Sequence, residues 1–447
     1  MAFNVGLSGL RGAQIDLNTI GNNVANASTT GFKQSRAEFG DVYAASVLGT
    51  GKNAVGSGVL VERVAQMHNQ GNINSTDNSL DLAINGNGYF ITKNNGSTEY
   101  TRNGIFLIDK DGYVVNNTGA RLQGYEAEDG EVLTGALGDI RIEQANVAPR
   151  ATDRIDMENN LDSGEDIIPA ATAFNPDDAT TYNHSTAVKT FDSLGNEHTL
   201  RVYYKKVADS TSTPAAAVGE TDWEVYTSIT NTQGETLFWD GAAYSDPTVN
   251  PPAANATIGY SNTGTFAGIN PPAAAGDPTQ SFSLDLSSVD GTSTEFGQNG
   301  DNTVAVAFTG STQYGDNFEV SSLTQDGYTT GKMSGLNVDQ DGTIYARYTN
   351  GQQKAVGQVP IANFRNPGGL KPVGSTAWAE TTDSGIPTVN TAGTGVTGAV
   401  DGGSLEDSNV DLSEELVKMI VAQRNYQANA KTIQTQDALT QTIINIR

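Results

Sequence analysis

Apolar residues recur at alternating spacings of three and four at both ends of this chain, and largely at a spacing of two in between. At the start, Phe3, Gly6, Leu10, Ala13, Leu17, Ile20, Val24 and Ala27 form one series. At the finish, Leu412, Leu416, Met419, Gln423, Tyr426, Ala430 and Ile433 form another, which Leu439, Ile443 and Ile446 continue after a one-residue slip. A repeat of about 3.5 residues lines these side chains along one narrow stripe of a helix and turns it toward a partner helix. The pattern predicts a first helix over residues 3–27, ended by a left-handed turn at Gly31, and a last helix opening at Ser413. Each stripe is too thin to bury itself alone, so the ends are expected to pair with each other or with neighbouring molecules.

Between the ends the signature is β. Leu80 to Ile84 alternates apolar and polar residues, and Asn85-Gly86, Asn87-Gly88, Asn95-Gly96, Asn103-Gly104 and Asp129-Gly130 are hairpin signals, because both residue types enter positive φ cheaply. Strands are expected at Leu200–Tyr204 and Trp223–Thr227, among long Ala/Pro/Thr/Asn loops that include a repeated Asn-Pro-Pro-Ala-Ala at 250 and 270. The turn Asp339-Gln-Asp341-Gly342 echoes Asp109-Lys-Asp111-Gly112. The layout reads as nested and mainly β with terminal α-helices. Residues 1–39 and 404–447 form a helical, coiled-coil-like inner domain, and 40–70 and 376–403 are linkers or extended connections. Residues 71–150 and 301–375 form a first antiparallel β domain, and 151–300 an outer β domain.

Composition narrows the function. A length of 447 residues supports several cores, and a net charge of −26 disfavours nucleic acid and anionic membranes, both of which recruit clustered Lys and Arg. The first 36 residues hold one acid, Asp16, so the N-terminal helix avoids the repulsion that would oppose packing of many copies. The absence of cysteine excludes disulfides and thiolate metal sites. No apolar run reaches the roughly 18 residues needed to span a bilayer, and the N-terminus lacks the pattern of a cleaved leader. Candidate chemistry is sparse. Gly393-x-Gly395-x-x-Gly398 lacks the flanking strand and helix of a phosphate loop and reads as flexible linker. The Asp-x-Asp-Gly turns lack the later Glu of a calcium loop. His68, His184 and His198 have no metal-ligand spacing and read as surface or turn residues. No catalytic, cofactor or metal site is expected.

The stretch Ile20-Gly-Asn22-Asn23-Val24-Ala-Asn26-Ala-Ser-Thr-Thr-Gly31-Phe32-Lys33 resembles the N-terminal signature of the bacterial flagellar rod and hook proteins. Asn409-Val-Asp-Leu412-Ser-Glu-Glu-Leu416, continuing through Met419 to Tyr426 and Ala430, resembles their C-terminal signature. Leu80–Ile84, Gly88–Phe90 and Gly357–Phe364 are also similar to these proteins, and the middle insertion of about 150 residues is similar in size to that of the hook-type members. The resemblance implies a self-assembling subunit of a flexible tube joining the rod to the filament, with another axial protein, of the distal rod or the hook–filament junction, as the alternative. It implies an extracellular flagellar location, reached unfolded through the type III export apparatus without a cleaved signal. It implies contact with further copies of the chain, the distal rod protein, the hook cap protein and the hook–filament junction protein. Assembly is then expected to run through Leu10, Leu17, Ile20, Asn22, Asn23, Val24, Asn26, Gly31, Phe32, Leu412, Leu416, Met419, Tyr426, Ile433, Leu439 and Ile443.

Overall fold

A computed structural model of the chain describes residues 2–42, 56–128, 130–143, 145–169, 171–207, 221–248, 250–270, 281–289, 296 and 302–445. It is mainly β, with one long helix at each end and several largely antiparallel sheets. The chain divides into two units: Met1–Gln144, Ser334–Arg347 and Gln353–Arg447 form the first, Ala145–Met333 and Tyr348–Gln352 the second.

In the first unit, helix α1 spans Ala2–Ala25, strands β1 and β2 span Ser35–Asp41 and Val59–Gln66, and helix α2 spans Leu412–Asn445. The expected start of the last helix moves one residue earlier. Asp411, not Ser413, caps it, its Oδ1 accepting the Ser413 and Glu414 amides at 2.8 and 3.1 Å. Strands β1 and β2 pair from Ser35↔Gln66 to Asp41↔Val59, with a bulge past Glu38. Much of the segment expected as a connection is therefore hairpin. Its glycines Gly49 and Gly51 lie outside the described residues.

The second expected linker is ordered structure. Ala399–Gly402 pairs with Leu82–Asn85, and Ser404–Glu406 pairs with Ile73–Ser75. Val400 and Leu82 to Ile84 are fully buried at this junction, and that burial fixes the segment. The Gly393–Gly398 stretch is a closed turn in which the Gly393 amide reaches the Gly398 carbonyl at 2.9 Å.

The Asn-Gly pairs serve different ends. Asn95-Gly96 is a two-residue hairpin turn, with φ of 48° and 89° between paired Asn94 and Ser97. Gly130 also closes a two-residue turn, whose Asp129 lies outside the described residues. Asn103-Gly104 is no hairpin. The Leu82 carbonyl approaches so closely that a Cβ on Gly104 would sit 1.6 Å from its oxygen. The two Asp-x-Asp-Gly turns are hairpin connections, as at Asp109, whose Oδ1 accepts the Asp111 and Tyr113 amides at 2.8 Å each.

The second unit packs a four-stranded sheet and a seven-stranded sheet around one core. In its strand Glu197–Lys206, Leu200, Val202 and Tyr204 are fully buried and alternate with Arg201 and Tyr203. The expected boundary at 300 lies too early. Thr303–Ala307 pairs in parallel with Arg154–Asn160, and Phe296, Val304, Val306 and Phe308 are core residues here, so this unit runs to Met333. The repeat at 271–274 lies outside the described residues. His198 departs from its surface expectation. It is buried, with its ring 4.9 Å from Phe296 and Nδ1 3.1 Å from the Thr230 carbonyl.

Because the Leu82 carbonyl leaves no room at position 104, Gly104→Ala should lower the melting temperature of the first unit and leave the second unit's transition in place. Calorimetry of the full chain separates the two, and unchanged melting would contradict the close approach.

Candidate assembly surface

Helices α1 and α2 run antiparallel, with Gly6 opposite Ile433, Gly9 opposite Asn429 and Asn23 opposite Glu415. The stripe that α2 turns inward is Glu415, Met419, Ala422, Tyr426, Asn429, Ile433 and Gln436, each at least partly buried. That of α1 is Gly6, Gly9, Ala13, Asp16, Ile20 and Asn23. Both keep the three-and-four spacing, but alternate members lie one residue before the expected ones. The reason is close approach. A Cβ on Gly9 would lie 2.6 Å from the Asn429 side chain, and one on Gly6 3.1 Å from Ile433 Cγ1. Glycine and alanine let the helices come together where leucines would hold them apart.

The expected assembly residues therefore separate. Ile20, Asn23 and Gly31 are buried, and Met419, Tyr426 and Ile433 are half-buried on the inner stripe. Leu10, Leu17, Val24, Asn26 and Phe32 are half-buried. Asn22 is exposed, and its carbonyl accepts from the Asn26 amide at 3.1 Å and from Asn26 Nδ2 at 2.9 Å. Leu412, Leu416 and Leu439 leave the expected seam and are 46, 50 and 53% exposed. The side chain of Ile443 lies outside the described residues, as does Ile446.

Polar groups that the periodicity passed over lock the pair. Glu415 and Asn23 are each 1% exposed. Asn23 Nδ2 donates to Glu415 Oε2 at 2.9 Å and to the Ser35 carbonyl at 2.7 Å, while its Oδ1 accepts the Ser35 amide at 2.9 Å. Gln34 Nε2 and Lys418 Nζ satisfy the other oxygen of Glu415 at 2.7 and 2.9 Å. Asn409 takes the Gln34 amide at 2.7 Å and donates to the Met67 and Asn69 carbonyls at 2.8 and 3.0 Å. The N- and C-terminal motifs are thus two halves of one hydrogen-bonded joint.

Beneath it lies a buried charge cluster. Glu406 receives Lys33 Nζ at 2.6 Å on one oxygen and Arg102 Nη1 at 2.8 Å on the other, and all three side chains are almost wholly buried. The Gly71 amide, the Asn69 carbonyl and the Ile84 and Gly86 carbonyls satisfy much of the remaining capacity. Gly31 packs alongside at φ 70°, where a Cβ would meet the Arg102 and Asn103 backbone at 2.6 Å. Burial raises the Glu406 pKa, but the Arg102 and Lys33 charges outweigh it and hold the carboxyl below the usual range. Glu415 behaves alike: burial is opposed and outweighed by the Asn23, Lys418 and Gln34 bonds. For Lys33, burial dominates and lowers the pKa against the pull of Glu406.

The outer face of α2 changes along its length. Leu412, Leu416, Val417, Ile420 and Val421 leave its first three turns apolar away from α1 as well as toward it. Beyond them, Gln423, Gln427, Gln434 and Gln441 are exposed amides. A helix apolar on both faces belongs in a fully buried setting, which this chain alone does not provide for that segment. Among the described residues, no helix is long and apolar enough to cross a membrane, and no three His, Cys, Asp or Glu residues cluster as metal ligands.

Residues 3–33 match the family profile "Flagella basal body rod protein", and 401–446 match "Flagellar basal body rod FlgEFG protein C-terminal". Residues 83–159 match "Flagellar hook protein FlgE/F/G D1 domain", and 160–328 match "Flagellar basal body protein FlaE D2 domain". The chain is 36% identical to the flagellar hook protein FlgE of Escherichia coli K12 and 35% identical to that of Salmonella typhimurium, with all of each chain covered. It is 32% identical to that of Borreliella burgdorferi, over 99% of this chain and 98% of the relative. Its fold is similar to the crystal structure of a Helicobacter pylori flagellar hook protein, at a TM-score of 0.50 and 14% identity, over 73% of this chain and 98% of that one.

Replacing Glu406 with Gln strands two buried cations and should cost about 3 to 5 kcal/mol, seen as a lower melting temperature of the first unit. The pH dependence follows from the depressed carboxyls. Their stabilisation is present above the unfolded value of about 4.3 and is lost as pH falls through the lower folded values. Acid titration of the intact chain should melt the first unit in that window, and Glu406→Gln should flatten the dependence. An equally steep acid transition in the variant would remove Glu406 from the account.

Proposed function

The chain belongs to the flagellar hook protein family, and on that premise we propose how its helices and β units act in the hook. It is a structural subunit that polymerises with further copies of itself. In our reading, α1 and α2 of many copies form the inner layer of the tube and the β units surround it. The exposed leucine face of α2 supports this most strongly, because it lies outside the stripe that α1 already covers. The assembly residues then fall into two sets. Ile20, Asn23, Gly31, Met419, Tyr426 and Ile433 hold the intramolecular joint together. Leu10, Leu17, Val24, Leu412, Leu416 and Leu439 are kept for neighbours, with Asn22, Asn26 and Phe32 shaping the turn between α1 and β1.

The exposed amides of the later half of α2 suit the wall of a channel, since they offer a passing unfolded chain only weak, exchangeable hydrogen bonds. We place them in the lumen. Bending belongs where the chain passes between its two units, near residues 144, 333, 347 and 352, because packed cores resist deformation. The Thr391–Gly403 stretch is held by strand pairing and is no hinge. The distal rod protein, hook cap protein and hook–filament junction protein are the proposed partners at the ends of the polymer. Secretion through the type III apparatus fits a chain with no thiols and with helices that complete their burial only among neighbours. The role is structural rather than catalytic.

Leu416→Asp tests the division directly. Its side chain is half exposed, so the monomer's stability should change by less than about 0.5 kcal/mol. Polymer seen by electron microscopy should be lost, because the charge would enter a face that copies cover. Normal tubes from this variant would place that face outside the interface.

A further inference from the structure

The two helices and the β1–β2 hairpin leave an open groove of about 440 Å³. Ile20, Ala37, Met67, Val417 and Val421 give it apolar walls, and Asp16 stands in it. Asp16 is half-buried and makes no hydrogen bond or ion pair among the described residues. Burial, then the nearby Glu415 charge, raise its pKa against the opposing pull of Lys418. The neighbouring cations are committed elsewhere, Lys418 to Glu414 and Glu415 at 2.8 and 2.9 Å and Arg36 to Glu38 at 2.8 Å. A carboxyl so placed is stabilised by a cation brought from outside, more strongly than at an open surface.

The chain presents such a cation. Phe3, Leu7, Arg11 and Ile15 succeed one another at i, i+4 on α1, away from the stripe that meets α2. Phe3 is 51% and Ile15 36% exposed, and the exposed Arg11 has no ion pair among the described residues. Helices α1 and α2 together hold four basic and four acidic residues in a chain of net charge −26, and on this face of α1 Arg11 stands between the exposed apolar side chains of Phe3 and Ile15. Five residues along a helix amount to about 140° of rotation, so Arg11 cannot turn into the groove of its own chain.

We propose that the groove of one copy receives the Phe3–Leu7–Arg11–Ile15 face of α1 from a second copy, with the Arg11 guanidinium against the Asp16 carboxylate. This rests on the self-assembly reading above and names the surfaces it uses. Groove and face are different parts of the chain, so the contact is heterologous, the kind that propagates into an open helical polymer rather than closing as a dimer. The apolar side chains provide the burial, and the ion pair selects the register.

A charge swap tests the pairing. Asp16→Arg and Arg11→Glu should each cut polymer yield roughly tenfold, and the double variant should return it to within about twofold of the parent chain. Neither residue makes a hydrogen bond or ion pair among the described residues, and calorimetry of each monomer separates any loss of fold from loss of the contact: polymer should fall in Arg11→Glu even where its melting matches the parent. As a second measurement that tolerates weakened assembly, Arg11→Cys and Asp16→Cys chains are mixed and oxidised. The parent has no cysteine, so disulfide-linked dimers bridging positions 11 and 16 should form only in the mixture. Single variants that polymerise fully, a double variant no better than the singles, or a mixture without heterodimers would each overturn the pairing. If the parent polymerises normally in those cases, the self-assembly reading stands; a parent that forms no polymer overturns both.

Discussion

Glu406 between Lys33 and Arg102 is the interaction on which the first unit depends. One carboxylate, buried and bonded on both oxygens, joins the segment after the first helix, a bend in the β domain and the strand that leads to the last helix. Three charges cannot be kept out of water unless all are in place, so the cluster makes the chain ends mutually dependent. Neither motif segment holds its conformation without the other. Gly31, Asn409 and the Asn23–Glu415 joint are built around that junction, and together they set the angle at which the helices leave the β domain.

With the joint supplying the specificity, the helix interface above it can be made of glycine, alanine and amides. That frees the larger side chains. A seam of leucines would have satisfied both helices within one molecule. Here Leu412, Leu416 and Val417 remain outside, where Asn23 and Glu415 join the helices, and Gly6 and Gly9 let them close at the other end. The same sequence segment thus serves one fold and a second layer of packing beyond it. The neutral charge balance of the helices removes the repulsion that the acidic β units would otherwise bring to many copies.

Much of this was legible in the sequence. The three-and-four spacing located both helices to within a few residues, and alternation located the strands, because each periodicity reports directly which face is buried. The motif residues Asn23 and Gly31 were visible as well. The partner choice within the heptads was not. Periodicity ranks leucine above glycine or glutamate as a seam residue, whereas backbone proximity and a hydrogen-bond network decided the matter at Gly9 and Glu415. Glu406 and Arg102, 304 residues apart, have no local signature, since a buried ion pair is a property of tertiary structure. The Thr391–Gly403 stretch looked like linker because its order comes from pairing with distant Leu82–Asn85. Gly104 looked like a turn glycine when its real constraint is a neighbouring carbonyl.

If α2 is built for the polymer, the apolar outer face at its start is completed by other copies of the chain. A density map of the polymer, at a resolution that shows side chains, tests it most directly. Leu412, Leu416, Val417, Ile420 and Val421 of each subunit should be covered by a neighbouring chain, with Gln427 and Gln434 facing the channel. A tube in which that apolar face looks into solvent, while the helices of neighbouring subunits stay apart, would contradict it.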